Sequence, residues 1–231
     1  MGKRIIARAR GKGGPAYKSP SHRFIAKPTY AFSGNAKILD IVHDPARSTP
    51  LLKVFTEDDK KELYMLATEG VKVGDNIVKG NEIKNGNILR LKDIPKGSHV
   101  YAIEMTPGGG PKLCCACGTK AIIVNQEEKK TIIKLPSKRF KNMHPNCFAT
   151  LGIPAGSGAR EKPLLKAGTA YHKKRARNKL YPRTSASAMN AVDHPFGGSG
   201  KPGIPKSRPR NAPPGAKVGA IASKRTGKKK R

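Results

Sequence analysis

The stretch AKILDIVHDPARSTPLLKVF, residues 36–55, decides the fold class of this chain. Its two apolar segments, 36–44 and 50–55, are short, rich in Ile, Leu and Val, and separated by PARST, which contains proline and three polar residues. Short segments of this composition, bounded by residues that favour turns, are typical of β-strands. We therefore predict two strands here, joined by a turn.

The same pattern recurs along the middle of the chain, with turn signals such as NGN and NQEEKK between the segments. Six further strands are predicted: ELYMLAT (62–68), NILRL (87–91), HVYAIEM (99–105), KAIIVN (120–125), KTIIKL (130–135) and KRFKNM (138–143). Even spacing without long helical periodicity favours small barrels over a sheet with crossover helices. The segment at 92–98, between two predicted strands, is the predicted boundary between two such barrels. One helix is predicted at 168–180, which carries five Lys and Arg.

The net charge restricts the class of partner. The chain has 47 Lys and Arg against 15 Asp and Glu, a balance of +32. So much charge on a compact domain would repel itself, so a polyanion is the expected partner, and nucleic acid is the commonest one. The charge is uneven: 31–100 holds eleven basic and ten acidic residues, whereas 151–231 holds twenty and two.

The two ends of the chain differ from its middle. Residues 1–30 and 182–231 are dense in Gly, Pro, Lys and Arg and have few large apolar side chains. Such segments bury too little surface to offset their chain entropy, so we expect them to be disordered alone and ordered against RNA. A nearly neutral core with long basic ends is the layout expected of a protein embedded in folded RNA.

Cellular location is indicated by what the sequence lacks. It has no apolar run long enough to span a membrane and no secretory signal, so no membrane partner is expected. Four cysteines, three of them bunched at 114–117, do not form a secreted disulfide framework. We predict a cytoplasmic protein without a cofactor.

Several sequence segments, in this order along the chain, resemble those of a known family. They are MGKRIIARARGKGG, SPSHRF, IVHDPARSTPLLKV, ATEGVKVGD, TPGGGPKL, NCFATLGIPAGSGAREKPLLKAGTAYHKKRARN, AMNAVDHPFGGSGKPG and RNAPPGAKVGAIASKRTG. The chain resembles, nearly end to end, the universal large-subunit ribosomal proteins of the L-two type, and the archaeal branch more than the eukaryotic or bacterial one. Ser185 and Ala186 stand where that family usually has an arginine and a glycine.

The resemblance implies an oligonucleotide-binding-type barrel at 35–95 and an SH3-like barrel with a basic loop and helix at 96–181. It also implies a basic RNA-threading extension at 1–34 and a second extension at 182–231. The implied function is structural: a primary rRNA binder of the large subunit that supports subunit association, tRNA placement and the architecture around the peptidyl-transferase region. The implied partners are large-subunit rRNA, neighbouring ribosomal proteins, the small subunit across the interface and, indirectly, tRNA.

The predicted RNA-binding residues combine the resemblance with the chemistry of each side chain. Glycines let backbone N–H groups approach phosphate, Arg can grip phosphate bidentately, and Tyr171 offers a face on which a base can stack. The alternative for 154–179 is a solvated basic loop and helix, but no acids near the helix pair with its charges. The predicted residues are Arg4, Arg8, Arg10, Lys12, His22, Arg23, Arg160, Lys162, Lys166, Tyr171, His172, Lys173, Lys174, Arg175, Arg177, Arg183, Asn190, His194, Gly197, Gly198, Lys201, Arg208, Arg210, Lys224 and Arg225.

His194 follows an aspartate, which suggests a catalytic pair. Pro195 favours an extended backbone at His194, and neighbours in an extended chain point to opposite sides, so Asp193 is poorly placed to orient the ring. We therefore predict an RNA-contacting loop in which His194 stacks on or hydrogen-bonds to nucleotides. Asp193 is expected to cap a turn or to accept bonds from backbone or an Arg. Gly197 and Gly198 are expected to let the chain pass close to RNA.

A zinc site is left open. Cys114 and Cys117, followed by His144 and Cys147, have the paired spacing of structural zinc ligands. The alternative is that these are small residues filling a barrel seam. No metal ligand is therefore included among the predicted site residues.

Two other classes of function remain as alternatives. A stand-alone nucleic-acid-binding or chaperone protein would also fit the charge, although duplex-DNA compactors need repeated contacts and this chain has no internal repeat. An enzyme that uses His194 is disfavoured, because the sequence has no P-loop, no G-x-S-x-G elbow and no paired carboxylates in a glycine-bounded pocket.

Overall fold

A computed structural model of the chain describes residues 3–199, 207–213 and 220–222. Contacts group the chain into two compact units: a central unit of residues 21–164 and a terminal unit of residues 1–20 and 165–231. In the part of the chain that is described, no helix has both the length and the apolar character needed to cross a membrane.

The central unit is built on one ten-stranded sheet. Its strands are β1 (Gly34–Val42), β2 (Leu51–Thr56), β3 (Glu62–Leu66), β4 (Asn76–Lys79), β5 (Ile88–Arg90), β6 (His99–Tyr101), β7 (Ala121–Gln126), β8 (Thr131–Lys134), β9 (Phe140–Met143) and β10 (Phe148–Leu151). Their order is β3-β2-β1-β4-β5-β10-β6-β7-β8-β9, and every neighbouring pair is antiparallel except β4–β5. The mainly-β prediction is confirmed.

Two separate hydrophobic cores lie on this sheet. The first contains Ala36, Ile38, Leu51, Leu52, Val54, Met65, Leu66, Ile77, Ile88 and Tyr101, together with Tyr30 and Phe32 from before β1. The second contains Leu89, Leu91, Ile94, Val100, Ile103, Ala121, Ile123, Ile133, Met143, Cys147 and Ala149.

The middle strands of the sheet serve both cores. In β5, Ile88 packs in the first core and Leu89 in the second. In β6, Tyr101 packs in the first core and Val100 in the second. Successive side chains of a strand point to opposite faces, so a strand between two cores is apolar on both. These strands therefore hold the two cores back to back on one sheet.

All eight predicted strands occur, and two that were not predicted join them. β4 lies between the strands predicted at 62–68 and 87–91, and β10 lies between β5 and β6 without the apolar–polar alternation of a half-buried strand. β6 ends earlier than predicted because Ala102 has a φ of 51°. Beyond that kink, Ile103 pairs with Leu113 in an isolated bridge.

The terminal unit contains two short α-helices, α1 (Ile6–Gly11) and α2 (Ala167–Arg175), and a two-stranded parallel pair, β11 (Ser207–Arg208) and β12 (Ala220–Ile221). The helix predicted at 168–180 exists but ends earlier. Asn178 has a φ of 48°, and the N–H of Lys179 donates to the carbonyl of Lys174 at 2.9 Å. This is the Schellman arrangement that terminates helices. Helix α1 was not predicted.

Candidate nucleic-acid interface

The N-terminal segment forms a basic cleft in the terminal unit. Arg4, Arg8 and Lys12 are spaced four residues apart, and α1 begins between the first two, so the spacing brings their side chains to one side. These three line a cleft of about 500 Å³ together with Ala9, Gly14, Pro15 and Tyr17. Arg10 is exposed on the last turn of α1. Tyr17, which is 36% exposed, was not among the predicted residues.

Helix α2 carries the densest group of predicted RNA-binding side chains. Tyr171, His172, Lys173, Lys174 and Arg175 all lie on it, none is buried, and its first turn contains no acidic residue. Cations in the last turn are favoured there by the helix dipole.

Aromatic rings and cations alternate on this helix. The rings of Tyr171 and His172 meet edge to face with centroids 5.4 Å apart, and the guanidinium of Arg175 lies 5.9 Å from the Tyr171 centroid. Lys174 places its Nζ 4.4 Å from the centroid of Tyr181, which the sequence analysis did not select. Cation–π contacts of this kind hold charged side chains in place beside surfaces on which a base can stack.

Several other predicted residues are spread over the surfaces of the two units. His22 and Arg23 form a short 3-10 turn, Ser21–Arg23, and Arg160 ends another, Ser157–Arg160, both in the central unit. Exposed positions are occupied by Lys162, Lys166, Arg183, Asn190 and Arg210. Arg177 lies in the turn that follows α2. Lys201, Lys224 and Arg225 lie outside the described residues.

The loop DHPFGG is folded on itself. The carbonyl of Asn190 accepts hydrogen bonds from the N–H groups of Asp193 at 3.0 Å and His194 at 3.3 Å, so a turn at 191–193 leads into His194. A Cβ on Gly197 would come within 2.3 Å of the Asn190 carbonyl oxygen. The close approach that Gly197 permits is therefore to the protein's own backbone.

His194 is buried within this loop, with 4% of its surface exposed. Its Nδ1 accepts a hydrogen bond from the N–H of Phe196 at 3.0 Å, and the two rings meet edge to face with centroids 5.3 Å apart. The guanidinium of Arg208 lies 5.4 Å from the Phe196 centroid. The histidine thus supports the shape of the loop from inside; direct contact of its ring with RNA stays a prediction.

Asp193 forms an ion pair with a lysine in the N-terminal segment of the same unit. Its carboxylate lies 3.2 Å from Nζ of Lys3, and the N–H of Lys3 donates to the carbonyl of Val192 at 2.8 Å. The expected partner was backbone or an arginine; the observed one is a lysine. This pair ties the start of the chain to the turn before His194.

The cysteines line the two hydrophobic cores. Cys114 packs against both cores, Cys115 packs against the first, and Cys147 is fully buried in the second. Burial raises the pKa of Cys114 to about 11 and also raises the pKa of Cys115 and of Cys147. Within residues 3–199, 207–213 and 220–222 no group of three or more His, Cys, Asp and Glu could hold a metal ion. The burial of these side chains among apolar residues supports the alternative of small residues that fill a seam.

A second cleft, which the sequence analysis missed, lies on the central unit. Its volume is about 440 Å³, and we call it the Phe148 cleft. It is lined by Phe32, Ser33, Lys79, Gly80, Asn81, Arg90, Lys92, Asp93 and Phe148. These residues come from four distant parts of the sequence, so no local motif could have indicated the cleft.

Family models match almost the whole described chain. The model described as Ribosomal Proteins L2, RNA binding N-terminal domain, matches residues 3–79, and the model described as Ribosomal Proteins L2, C-terminal domain, matches residues 84–219. The chain belongs to the L2 family of ribosomal proteins. The resemblance seen in the sequence phrases is thereby confirmed.

Relatives within this family match from end to end. The chain is 48% identical to the large ribosomal subunit protein uL2 of Halorubrum lacusprofundi, over 99% of this chain and 98% of that protein. It is 47% identical to the proteins of the same name from Methanothrix thermoacetophila and Archaeoglobus fulgidus, with 98% or more of each chain covered. These relatives are archaeal, as predicted from the sequence segments that resemble the family.

Proposed function

We propose that this chain is a structural constituent of the large ribosomal subunit and binds its rRNA, without a catalytic role of its own. Family membership over both L2 domains supports this function. The observation that carries it to particular residues is the cleft in which Arg4, Arg8 and Lys12 converge beside Tyr17. Three cations at one concave surface are suited to phosphate, and the neighbouring ring is suited to a base.

The chemistry of binding follows from these side chains. Lys and Arg that neutralise phosphates release condensed counterions, so affinity depends steeply on salt. Tyr171 and Tyr181 lie beside Arg175 and Lys174 on and after α2, and such pairs can combine base stacking with phosphate contact. We propose that the N-terminal cleft and α2 are the main RNA contacts of the described part of the terminal unit.

The finer organisation is also a proposal. We assign residues 1–34 and 182–231 to RNA-threading extensions, 35–95 to an oligonucleotide-binding-type barrel and 96–181 to an SH3-like barrel. The two hydrophobic cores of the central unit support two barrels. By family resemblance, the chain works in the cytoplasm next to other ribosomal proteins, supports contact with the small subunit, and contributes to tRNA placement near the peptidyl-transferase region.

The role proposed for His194 is positional. Its burial, its acceptor bond from the N–H of Phe196 and the ring contact with Phe196 all serve the shape of the DHPFGG loop. A general base needs a substrate within hydrogen-bond reach, and a ring enclosed by its own loop is poorly suited to that task. We propose that the loop, rather than the imidazole as a proton carrier, is what the RNA recognises.

Sedimentation with purified large subunits in high salt tests the proposal. The full chain should remain with the subunit, and the triple variant Arg4→Gln, Arg8→Gln, Lys12→Gln should dissociate at lower salt, because it lacks the cations of the N-terminal cleft. A matched control replaces three exposed lysines of the central unit, Lys60, Lys61 and Lys84, by Gln. A chain that binds unrelated RNA as tightly and leaves the subunit in high salt would instead be a stand-alone chaperone.

A further inference from the structure

The Phe148 cleft combines cations and an aromatic ring on neighbouring strands. β4, β5 and β10 are adjacent in the sheet, and Arg90 on β5 is directly opposite Phe148 on β10. This register places the guanidinium of Arg90 5.8 Å from the centroid of the Phe148 ring. The backbone ladder keeps the Cβ atoms of these two residues adjacent, so the arginine stays within reach of the ring.

Lys79 is held in the cleft by the chain around it. Its Nζ donates to the carbonyls of Tyr30 at 2.6 Å and Phe32 at 2.7 Å, and lies 4.6 Å from the Phe148 centroid. Desolvation by burial lowers its pKa. A lysine has three N–H donors, and two are used on these carbonyls. Lys79 is thus a fixed cation under the ring rather than a solvated surface lysine.

The side chains at the rim of the cleft are more exposed to solvent than those inside it. Arg90 and Lys92 are both exposed, whereas Phe148 is half-buried and Phe32 is 4% exposed. Three cations face a single carboxylate, Asp93, among the lining residues. The cleft therefore offers an anion site at its rim and an apolar ring with a fixed positive charge inside.

The volume and chemistry of the cleft select its occupant. At about 440 Å³ it lies in the range of sites for small organic groups, which is roughly 300–1,000 Å³. A ring flanked by Arg and Lys suits a base that stacks, and cations a few ångströms away suit its phosphate. An acidic peptide would use the cations but would leave the ring without a planar partner.

We propose that the Phe148 cleft binds one unpaired nucleotide of the rRNA. Arg90 and Lys92 contact the phosphate, and the base lies against the ring of Phe148, which Lys79 supports. This assignment rests on the proposed function, because it names a particular contact of an rRNA-binding protein. The cleft belongs to the central unit, whereas most of the predicted RNA-binding residues belong to the terminal unit.

Two variants with different signatures test the assignment. In the full chain, Arg90→Gln with Lys92→Gln removes two phosphate contacts, so the log–log salt slope of binding to large-subunit rRNA should shallow by roughly 1.4 to 1.8. Phe148→Leu keeps an apolar side chain but removes the stacking face, so affinity should fall by about five- to 150-fold while the slope stays unchanged.

Matched controls separate these effects from general loss of charge or fold. Lys84→Gln with Lys134→Gln removes two exposed lysines that do not line the cleft, and Phe140→Leu makes the same replacement at a ring that is 64% exposed on β9. The double-lysine control should leave the salt slope unchanged, and Phe140→Leu should leave the affinity unchanged. Equal slopes for the two double variants, together with equal affinities for the two Phe→Leu variants, would overturn the assignment.

Ultraviolet crosslinking in purified large subunits gives an independent readout. A nucleotide in the cleft should crosslink to the tryptic peptide 142–160, which contains Phe148. Crosslinks to the N-terminal segment and α2 without any to this peptide would refute the cleft and leave the proposed function intact. A crosslink from this peptide to a neighbouring protein, and not to RNA, would assign the cleft to an acidic peptide. Absence of the chain from the large subunit would refute the proposed function itself.

Discussion

The hydroxyl of Tyr30 lies 2.6 Å from Oγ1 of Thr150, and it donates a hydrogen bond to the carbonyl of Ala102 at 2.9 Å. A phenol has one proton, so the Thr150 hydroxyl is the donor to Tyr30. The ring of Tyr30 is buried in the first core, although it precedes the first strand. The segment before β1 is therefore anchored to β10 and to the end of β6, which are 120 and 72 residues further along the chain.

Tyr30→Phe should lower the free energy of unfolding of the full chain by about 1–3 kcal/mol. The change leaves the buried Ala102 carbonyl without its donor and takes one partner from the Thr150 hydroxyl, and the penalty for an unpaired buried group exceeds the value of the bond alone. Chemical denaturation followed by circular dichroism measures it. Tyr17→Phe, at an exposed ring, is the matched control and should have no measurable effect. Thr150→Val should then lower the free energy of unfolding less in the Tyr30→Phe protein than in the unsubstituted chain.

Glu104→Gln should destabilise the glycine-rich loop at 106–110. The buried Glu104 carboxylate accepts hydrogen bonds from the N–H groups of Gly108 at 3.2 Å, Gly110 at 3.0 Å and Phe148 at 3.0 Å. An amide offers one acceptor oxygen in place of two and brings two donors to a site built for acceptors, so we expect a loss of about 1.5–3 kcal/mol.

Hydrogen exchange at Gly108 and Gly110 measures the effect on this loop. Both amides should exchange faster in the Glu104→Gln protein. Glu127→Gln removes a half-exposed carboxylate that pairs with Lys130 and should leave them unchanged. Unchanged protection of Gly110 in Glu104→Gln would show that the loop does not depend on the carboxylate.

Gly197→Ala should open the DHPFGG loop. A Cβ there would overlap the backbone at Asn190, so the loop must shift at a local cost of more than about 1 kcal/mol. Exchange of the Gly198 amide, which donates to Met189 at 3.0 Å, should speed up by at least about fivefold. Gly168→Ala on α2 is the control: a Cβ there meets nothing within 4 Å, and helix propensity should stabilise α2 slightly.

The Cys114 thiol should be unreactive near neutral pH and should titrate late. Burial raises its pKa from the ordinary 9.0 to about 11, so the folded state favours the neutral thiol. That contribution to stability is present below pH 9 and is lost as the pH rises toward 11. Iodoacetamide should therefore alkylate Cys114 about 100-fold more slowly in the folded chain than in guanidinium at pH 8, because a shift of two units lowers the thiolate fraction by that factor.

A Cys114→Ala variant isolates this titration from those of the lysines and the other thiols. Between pH 9 and 11 its stability should fall less steeply than that of the unsubstituted chain. Parallel pH profiles would show that Cys114 is not the group responsible. The same purified protein can be analysed for zinc; about one zinc ion per chain would contradict the interpretation of the cysteines as small residues that fill a seam.

Deleting residues 200–231 should weaken rRNA binding through charge alone. The deletion removes eleven basic groups and no acids. If half of these groups meet phosphate, the log–log salt slope should shallow by about four units, at roughly 0.7–0.9 per contact. Deleting only 224–231, which holds six of the eleven, should shallow it by about two units. Filter binding over a range of salt gives both slopes, and an unchanged slope would mean that the tail is not at the RNA.

Much of the β-sheet and the family could be predicted from local sequence. Segments such as 36–44 and 120–125 carry their strand signal in composition and flanking turns, and those signals hold wherever the segment packs. β10 gave no such signal. Its residues divide between two cores, with Phe148 against the first and Ala149 in the second, so apolar–polar alternation is absent.

By itself the sequence determined the class of the molecule: a net charge of +32, a nearly neutral centre and a series of phrases that belong to one ribosomal family. Tertiary structure alone decided what individual residues contact. It buried His194, directed the close approach of Gly197 to the protein's own backbone, and brought Phe32, Lys79 and Phe148 to one cleft. Charge and periodicity are properties of neighbours in sequence, whereas burial and pairing depend on chain segments that meet only when the sheet forms.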